Sequence, residues 1–246
     1  MTAPVFVVDR LDGMGPEFVL DGPEGRHAVS VKRLRPGEEV VLTDGRGRWT
    51  EGVVKAAEGK DRLIVTDLGA LQEEAPATPR ITVVQALPKG DRGELAVETM
   101  TEVGVDAIVP WAAARCITQW KGERGAKALA KWRATAREAG KQSRRVRFPE
   151  VADGATAKQV AALLAEADFA AVLHESGDAP LATAELPAAG DIVLVVGPEG
   201  GVSPEELALF TEAGAGAYRL GHSVLRTSTA GTAAAALLLG RTGRWS

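Results

Sequence analysis

Cysteine is almost absent: Cys116 is the only one in 246 residues. A lone thiol excludes an intramolecular disulfide framework and fits a reducing cytoplasm. The three histidines, His27, His174 and His222, are too scattered along the chain to suggest a metal box, and no metal is expected. Long apolar runs are missing too. The longest, AAAALLLG at 233–240, falls far short of the ~20 residues that span a bilayer. The opening MTAPVFVVDRLDG meets Asp9 and Arg10 before an export signal could form, so neither secretion nor membrane insertion is expected. Both phosphate-loop signatures are lacking: there is no Gly-x-Gly-x-x-Gly spacing and no glycine loop ending in Gly-Lys-Ser or Gly-Lys-Thr.

What is present is the composition of a folded chain, with 45% hydrophobic and 25% charged residues. At ~100–200 residues per domain, the length suits two modest domains, each able to bury a core. The formal net charge of −4 hides an asymmetry. From Arg115 to Arg147 there are eleven lysines or arginines against two glutamates, so this block carries +9 and the remainder −13. A cationic block on an otherwise acidic protein attracts a polyanion locally through counterion release.

From Val5 to about Leu68, short β-branched runs separated by Pro36-Gly37 and Asp44-Gly45 predict a small β domain. The aperiodic stretch GALQEEAPATPR at 69–80 reads as a linker. Beyond it, apolar runs alternate with helical patterns. Strands are expected within 81–90, where a buried-strand pattern runs into a loop, up to Pro110, and at 169–175, 191–196 and 217–220. Helices are expected after Gly93 up to a stop at Gly104, near 123–143, from Pro204, and near 228–240. Such alternation predicts a parallel sheet covered on both faces, with ligands at the carboxyl ends of its strands.

Three of those ends carry unusual loops. DIVLVVGPEGGVSPEE at 191–206 runs from a strand into a capping box, with Ser203 as N-cap, Pro204 at the first helical position and Glu206 reaching back. Gly197, Gly200 and Gly201 let a ligand approach the main chain. The nearby charges are Glu199, Glu205 and Glu206, which favour a cationic ligand over a phosphate. YRLGHSVLRTSTAG at 218–231 gives a second strand end, with Arg226 and then Thr227, Ser228 and Thr229 as possible caps. AVLHE ends a third strand at His174 and Glu175.

The stretches LVVGPEGGVSPEE, LGHSVLRTSTAG, ALPKGDRGELAVETMTEVGVDAIVPW and KWRATAREAGKQSRRVRFPEV, with RHAVSVKRLRPGEEV near the start, together resemble the RsmE family of bacterial methyltransferases. The likeness runs over essentially the whole chain. It implies an α/β fold: a C-terminal SPOUT domain over 77–246 with a parallel sheet and a deep trefoil knot, preceded by a PUA-like RNA-binding β-barrel over 1–70. It implies S-adenosylmethionine as cofactor, a homodimer, and methylation of a uridine N3 in 16S ribosomal RNA, naked or in the assembled small subunit. The cofactor residues it implies are Leu173, His174 and Glu175; Val196, Gly197, Gly200 and Gly201; and Leu220, Gly221, Val224, Leu225 and Thr227. Arg226 is expected to stabilise charge on the uracil, and Glu199 and His222 are candidates for taking the N3 proton. Departures from the family pattern stand at Ser223, Ser228, Thr99 and Val5, where arginine, glutamate, lysine and arginine are usual.

RNA contacts are expected from two places. On a helix through 123–143, Arg133, Arg137, Lys141 and Arg144 share a stripe beside an apolar one of Leu129, Trp132, Ala136 and Ala139, so that one face packs and the other presents cations. Arg145 follows directly. In the β domain, Arg26, Lys32, Arg33, Arg35, Arg46 and Arg48 cluster about two turns, and Lys89 and Arg92 join them from the second domain. Two other activities fit the same scaffold: ribose 2′-O methylation, and RNA binding without catalysis.

Overall fold

The computed structural model describes residues 3–177 and 179–245. They form two compact units, one running up to Pro76 and including Gly140–Phe148, the other made of Ala77–Ala139 and the chain from Pro149 onward. The stretch 140–148 therefore groups with the first unit, where the sequence places it in the second domain.

In the first unit, β1 (Val5–Val7), β2 (Glu17–Leu20) and a short helix α1 (Gly22–Arg26), prolonged by a π-helical turn at His27–Val31, precede β3 (Glu39–Thr43), β4 (Arg48–Glu58), β5 (Arg62–Thr66) and β6 (Gln72–Glu73). The sheet order is β1-β3-β4-β5-β2, with β6 paired to β4 inside the stretch expected to be a linker. Alternation works here as a half-buried sheet demands: Val40 and Leu42 of β3 and Leu63 and Val65 of β5 point inward, joining Phe6, Leu20 and Ala28. Residues 140–148 are held by chemistry that periodicity cannot show. Thr43 Oγ1 donates to the Val146 carbonyl at 2.8 Å. Gly45 and Gly140 lack the Cβ that would lie 2.8 and 2.4 Å from the Phe148 ring.

The second unit contains β7 (Arg80–Ala86), α2 (Arg92–Val103), β8 (Ala107–Trp111), α3 (Gly122–Gln142, whose last turn belongs to the first unit), β9 (Glu150–Val151), α4 (Ala157–Glu166), β10 (Phe169–Leu173), β11 (Ala179–Pro180), β12 (Asp191–Val196), α5 (Pro204–Glu212), β13 (Gly216–Arg219) and α6 (Thr227–Arg241). Seven parallel strands line up as β11-β13-β10-β12-β7-β8-β9. β7, β8 and β12 are buried almost end to end, as strands covered on both faces must be. α6 lies on β7 and β12 and packs with α2, while α4 packs with α5 and β10. Gly104 caps α2 in the left-handed region at φ 109°. α4 is an addition to the helices expected from the sequence. Its signal is the Thr156/Gln159 capping box, in which each side chain satisfies the other residue's backbone N–H. Among the described residues no helix is long and apolar enough to cross a membrane.

Candidate functional site

The site is set by register. Leu173 of β10 pairs with Val196 of β12 on one side and with Tyr218 of β13 on the other, so three strands stop at one level. Their following loops border a cleft of about 560 Å³. Around it stand Leu173, His174 and Glu175; Val196, Gly197, Glu199, Gly200 and Gly201; and Leu220, Gly221, His222, Val224, Leu225, Arg226 and Thr227, which are all the residues the sequence nominates for cofactor and chemistry. Loops that lie about 20 residues apart in sequence meet because the strand order places β13, β10 and β12 side by side.

Close backbone approach explains Gly177. A Cβ on Gly177 would lie 2.6 Å from the Tyr218 carbonyl carbon and 2.9 Å from Arg219 N, so the loop after β10 rests directly on β13. His174 N–H donates to Tyr218 O at 2.9 Å, and Arg219 Nη1 to Gly177 O at 3.0 Å, which seals this contact. Gly201 has φ 73°, a left-handed turn that other residues rarely adopt. His174 Nδ1 accepts the Ser176 N–H at 3.2 Å, which places the proton of a neutral ring on Nε2.

The capping box at α5 is present: Ser203 Oγ accepts the Glu206 N–H, and the Glu206 carboxylate accepts the Ser203 N–H, both at 3.2 Å. At α6, by contrast, Arg226 takes the N-cap position and Thr227, Ser228 and Thr229 lie inside the helix. Thr99, where a lysine is usual, shares a 2.7 Å hydrogen bond with Thr232 of α6 and so ties two helices together.

The electrostatics differ from the sequence expectation of an acidic cradle. Glu206 is buried in the helix cap, where its Oε1 also accepts the Ala114 N–H at 2.7 Å. Glu205 is exposed at the start of α5, and its carboxyl is held below the usual range by its own backbone N–H, then by Ser203 and Arg115. Among the described residues, Glu175 and Glu199 are the acids that line the cleft, together with Arg92, Arg115, Arg219 and Arg226. Glu199 Oε1 accepts the Lys89 N–H at 3.2 Å and lies 4.0 Å from Arg92 Nη1. Arg115 and Tyr218 were not singled out from the sequence, since only the sheet order brings the loop after β8 and the end of β13 to this cleft.

The cations expected on RNA separate into several groups. Arg26, Lys32, Arg33 and Arg35 are exposed on the first unit. On α3, Trp132, Ala136 and Ala139 are buried and Arg133 and Arg137 exposed, as the two stripes require. Arg133 is engaged, with Nη2 2.9 Å from Asp153 and Nε donating to Val151 O at 3.0 Å. Lys141 contradicts the stripe. It is 7% exposed, with Nζ 2.9 Å from Glu24 Oε1, because the end of α3 turns that face into the first unit's interior. Arg144 also leaves the stripe: α3 ends at Gln142, and Arg144 sits beyond it at φ 61°. Arg145 is half-buried and donates from Nε to Arg147 O at 2.9 Å. Arg48 is paired with Asp12.

Comparison with known proteins agrees with this arrangement. Residues 74–239 match the family described as RNA methyltransferase domain, and residues 20–68 match RNA methyltransferase PUA domain. Ribosomal RNA small subunit methyltransferase E of Mycobacterium tuberculosis is 46% identical over 250 aligned residues, covering 100% of this chain and 94% of that protein. The protein of the same name from Bacillus subtilis is 28% identical, covering 87% and 86%. The crystal structure of a ribosomal RNA small subunit methyltransferase E from Neisseria gonorrhoeae, bound to S-adenosyl methionine, superposes with a TM-score of 0.82 at 29% identity over 98% of each chain. A Legionella pneumophila methyltransferase in complex with SAM gives 0.83 at 26% identity, again over 98% of each chain. The chain belongs to the ribosomal RNA small subunit methyltransferase E family.

Proposed function

We propose that this protein transfers the methyl group of S-adenosylmethionine to N3 of a uridine in 16S ribosomal RNA. The observation that carries this reading is the level alignment of Tyr218, Leu173 and Val196, which gathers three loops and Arg226 around one cleft. The cleft fits the cofactor. Its volume of about 560 Å³ lies within the ~300–1,000 Å³ usual for small-molecule sites. Leu173, Val196 and Leu225 supply apolar surface for an adenine ring, the loop backbones supply donors and acceptors, and Glu175 and Glu199 supply negative charge for a sulfonium.

When bound, S-adenosylmethionine supplies an electrophilic methyl group. The protein's part is to orient the uracil, accept its N3 proton and stabilise the charge left on its carbonyl oxygens. Arg226 is exposed at the N-cap of α6, and its guanidinium stays protonated, so it serves the developing anion and not proton removal. Glu199 or His222, both on cleft loops, takes the proton directly or through water. The same reading includes the trefoil knot, a homodimer, a cytoplasmic location, and small-subunit RNA, naked or assembled, as substrate.

Tritiated-methyl transfer to small-subunit RNA, followed by mass mapping of the modified uridine, tests the assignment. Arg226→Ala is expected to abolish transfer while calorimetric binding of the donor persists. Full activity in that variant would remove Arg226 from the chemistry.

A further inference from the structure

The loop after β12 is clasped by the loops after β7 and β8, which lie on its far side from β10 and β13. Glu199 is held by the Lys89 N–H, and Thr118 Oγ1 donates to Pro88 O at 2.9 Å. Ala114 N–H reaches Glu206 Oε1 at 2.7 Å, and Cys116 N–H closes a turn on Ala113 O at 3.0 Å. Within this stitching Arg115 has its backbone fixed on both sides. A Cβ at Gly200 would come 3.1 Å from Arg115 Cβ and 3.4 Å from its carbonyl oxygen, so glycine is what lets Arg115 lie against the cleft floor.

We propose that Arg115 binds a backbone phosphate of the RNA strand that presents the target base. This rests on the methylation reading above. Arg115 lines the cleft and is exposed, and its Nη1 donates to the neutral Gly200 carbonyl at 3.1 Å. A guanidinium has five N–H donors, so one contact leaves most of its hydrogen-bonding capacity for a ligand. Among the described residues no carboxylate lies within ion-pair distance of Arg115, in contrast to Arg48, Arg133 and Arg244, which face Asp12, Asp153 and Asp106. Its field reaches the exposed Glu205 carboxylate without forming an ion pair, its backbone is held on both sides, and it lines the same cleft as Arg226. Two guanidinium groups lining one cleft suit a polyanion that must present a single base there.

The test compares wild type, Arg115→Ala and Arg115→Lys for binding to fluorescent small-subunit RNA over a salt series, and for calorimetric binding of S-adenosylmethionine. For Arg115→Ala, RNA affinity is expected to fall about tenfold and the slope of log affinity against log salt to drop by about one, with donor affinity changed less than about twofold. Arg115→Lys is expected to keep the slope. An unchanged slope in Arg115→Ala, or a loss confined to donor binding as expected if Arg115 only braces Gly200 or holds the donor's carboxylate, overturns the proposal. The slope is read without turnover, so a wild-type protein that binds RNA but transfers no methyl would sink the parent reading and leave this comparison intact.

Discussion

Replacing Gly177 with alanine perturbs the site where two backbones touch. The added Cβ would lie 2.6 Å from Tyr218 C and 2.9 Å from both Tyr218 Cα and Arg219 N, whereas ordinary contact begins at 3.4 Å. All three atoms belong to the main chain of β13 and cannot rotate away, so the loop must lift by about 0.8 Å or the strand must yield. Lifting strains the hydrogen bonds from His174 N–H to Tyr218 O and from Arg219 Nη1 to Gly177 O. Overpacking of this kind costs about 1–3 kcal/mol. A loss of about 2 kcal/mol in a unit of this size lowers the melting temperature by about 4–8 °C. The same shift moves Leu173–Glu175 at the cleft wall, and a donor affinity about tenfold weaker is expected. Scanning calorimetry and donor titration measure both quantities. Gly221→Ala is the control for stability: nothing lies within 4 Å of its Cβ, and a change under about 0.5 kcal/mol is expected. Wild-type melting and wild-type donor affinity in Gly177→Ala would refute the idea that this loop rests on β13.

Lys141→Met is expected to destabilise the protein by about 3–5 kcal/mol in urea unfolding, because it removes the ammonium 2.9 Å from a Glu24 carboxylate whose side chain is 12% exposed. Adding Glu24→Gln should recover at least about half of that loss, and strictly additive effects would refute the pairing. Cys116 gives a pH signature. Burial first of all pushes its thiol above the usual value, so the folded state favours the protonated form. That preference is full below the unfolded thiol's pKa and is lost as pH rises through the folded one, so stability should fall more steeply above about pH 8.5 in wild type than in Cys116→Ala. Parallel pH profiles in the two proteins would count against it.

Much of the second unit is legible because its signals are local. Gly104 stops α2, Ser203 starts α5, and the buried strands read as uninterrupted apolar runs. The nominated cleft residues also converge, since all of them were attached to strand ends. The failures are failures of local information. Periodicity gives Lys141 a stripe but cannot say that this part of the stripe turns inward toward Glu24, and it carries Arg144 past a helix that has ended. The linker at 69–80 contains β6, whose two residues are too few to show alternation. The acids at 199–206 look alike in sequence, yet one faces the cleft, one is exposed at the helix start, and one is buried in a cap.

On the proposed reading, the mixed charge of the cleft follows from what has to meet there. Carboxylates alone would repel the RNA, and guanidinium groups alone would repel a sulfonium. Separation in space resolves the conflict only if the groups are kept from collapsing on one another. At 4 Å in water two opposite charges attract by only about 1 kcal/mol, which backbone tethers can resist. The structure supplies such tethers: Glu199 is anchored by the Lys89 N–H, Arg115 by the Gly200 carbonyl, and Arg226 by its place at the start of α6. Gly200 thus does more than open space for a ligand: it lets the loop after β8 come close enough for the Gly200 carbonyl to hold the Arg115 guanidinium where it stands.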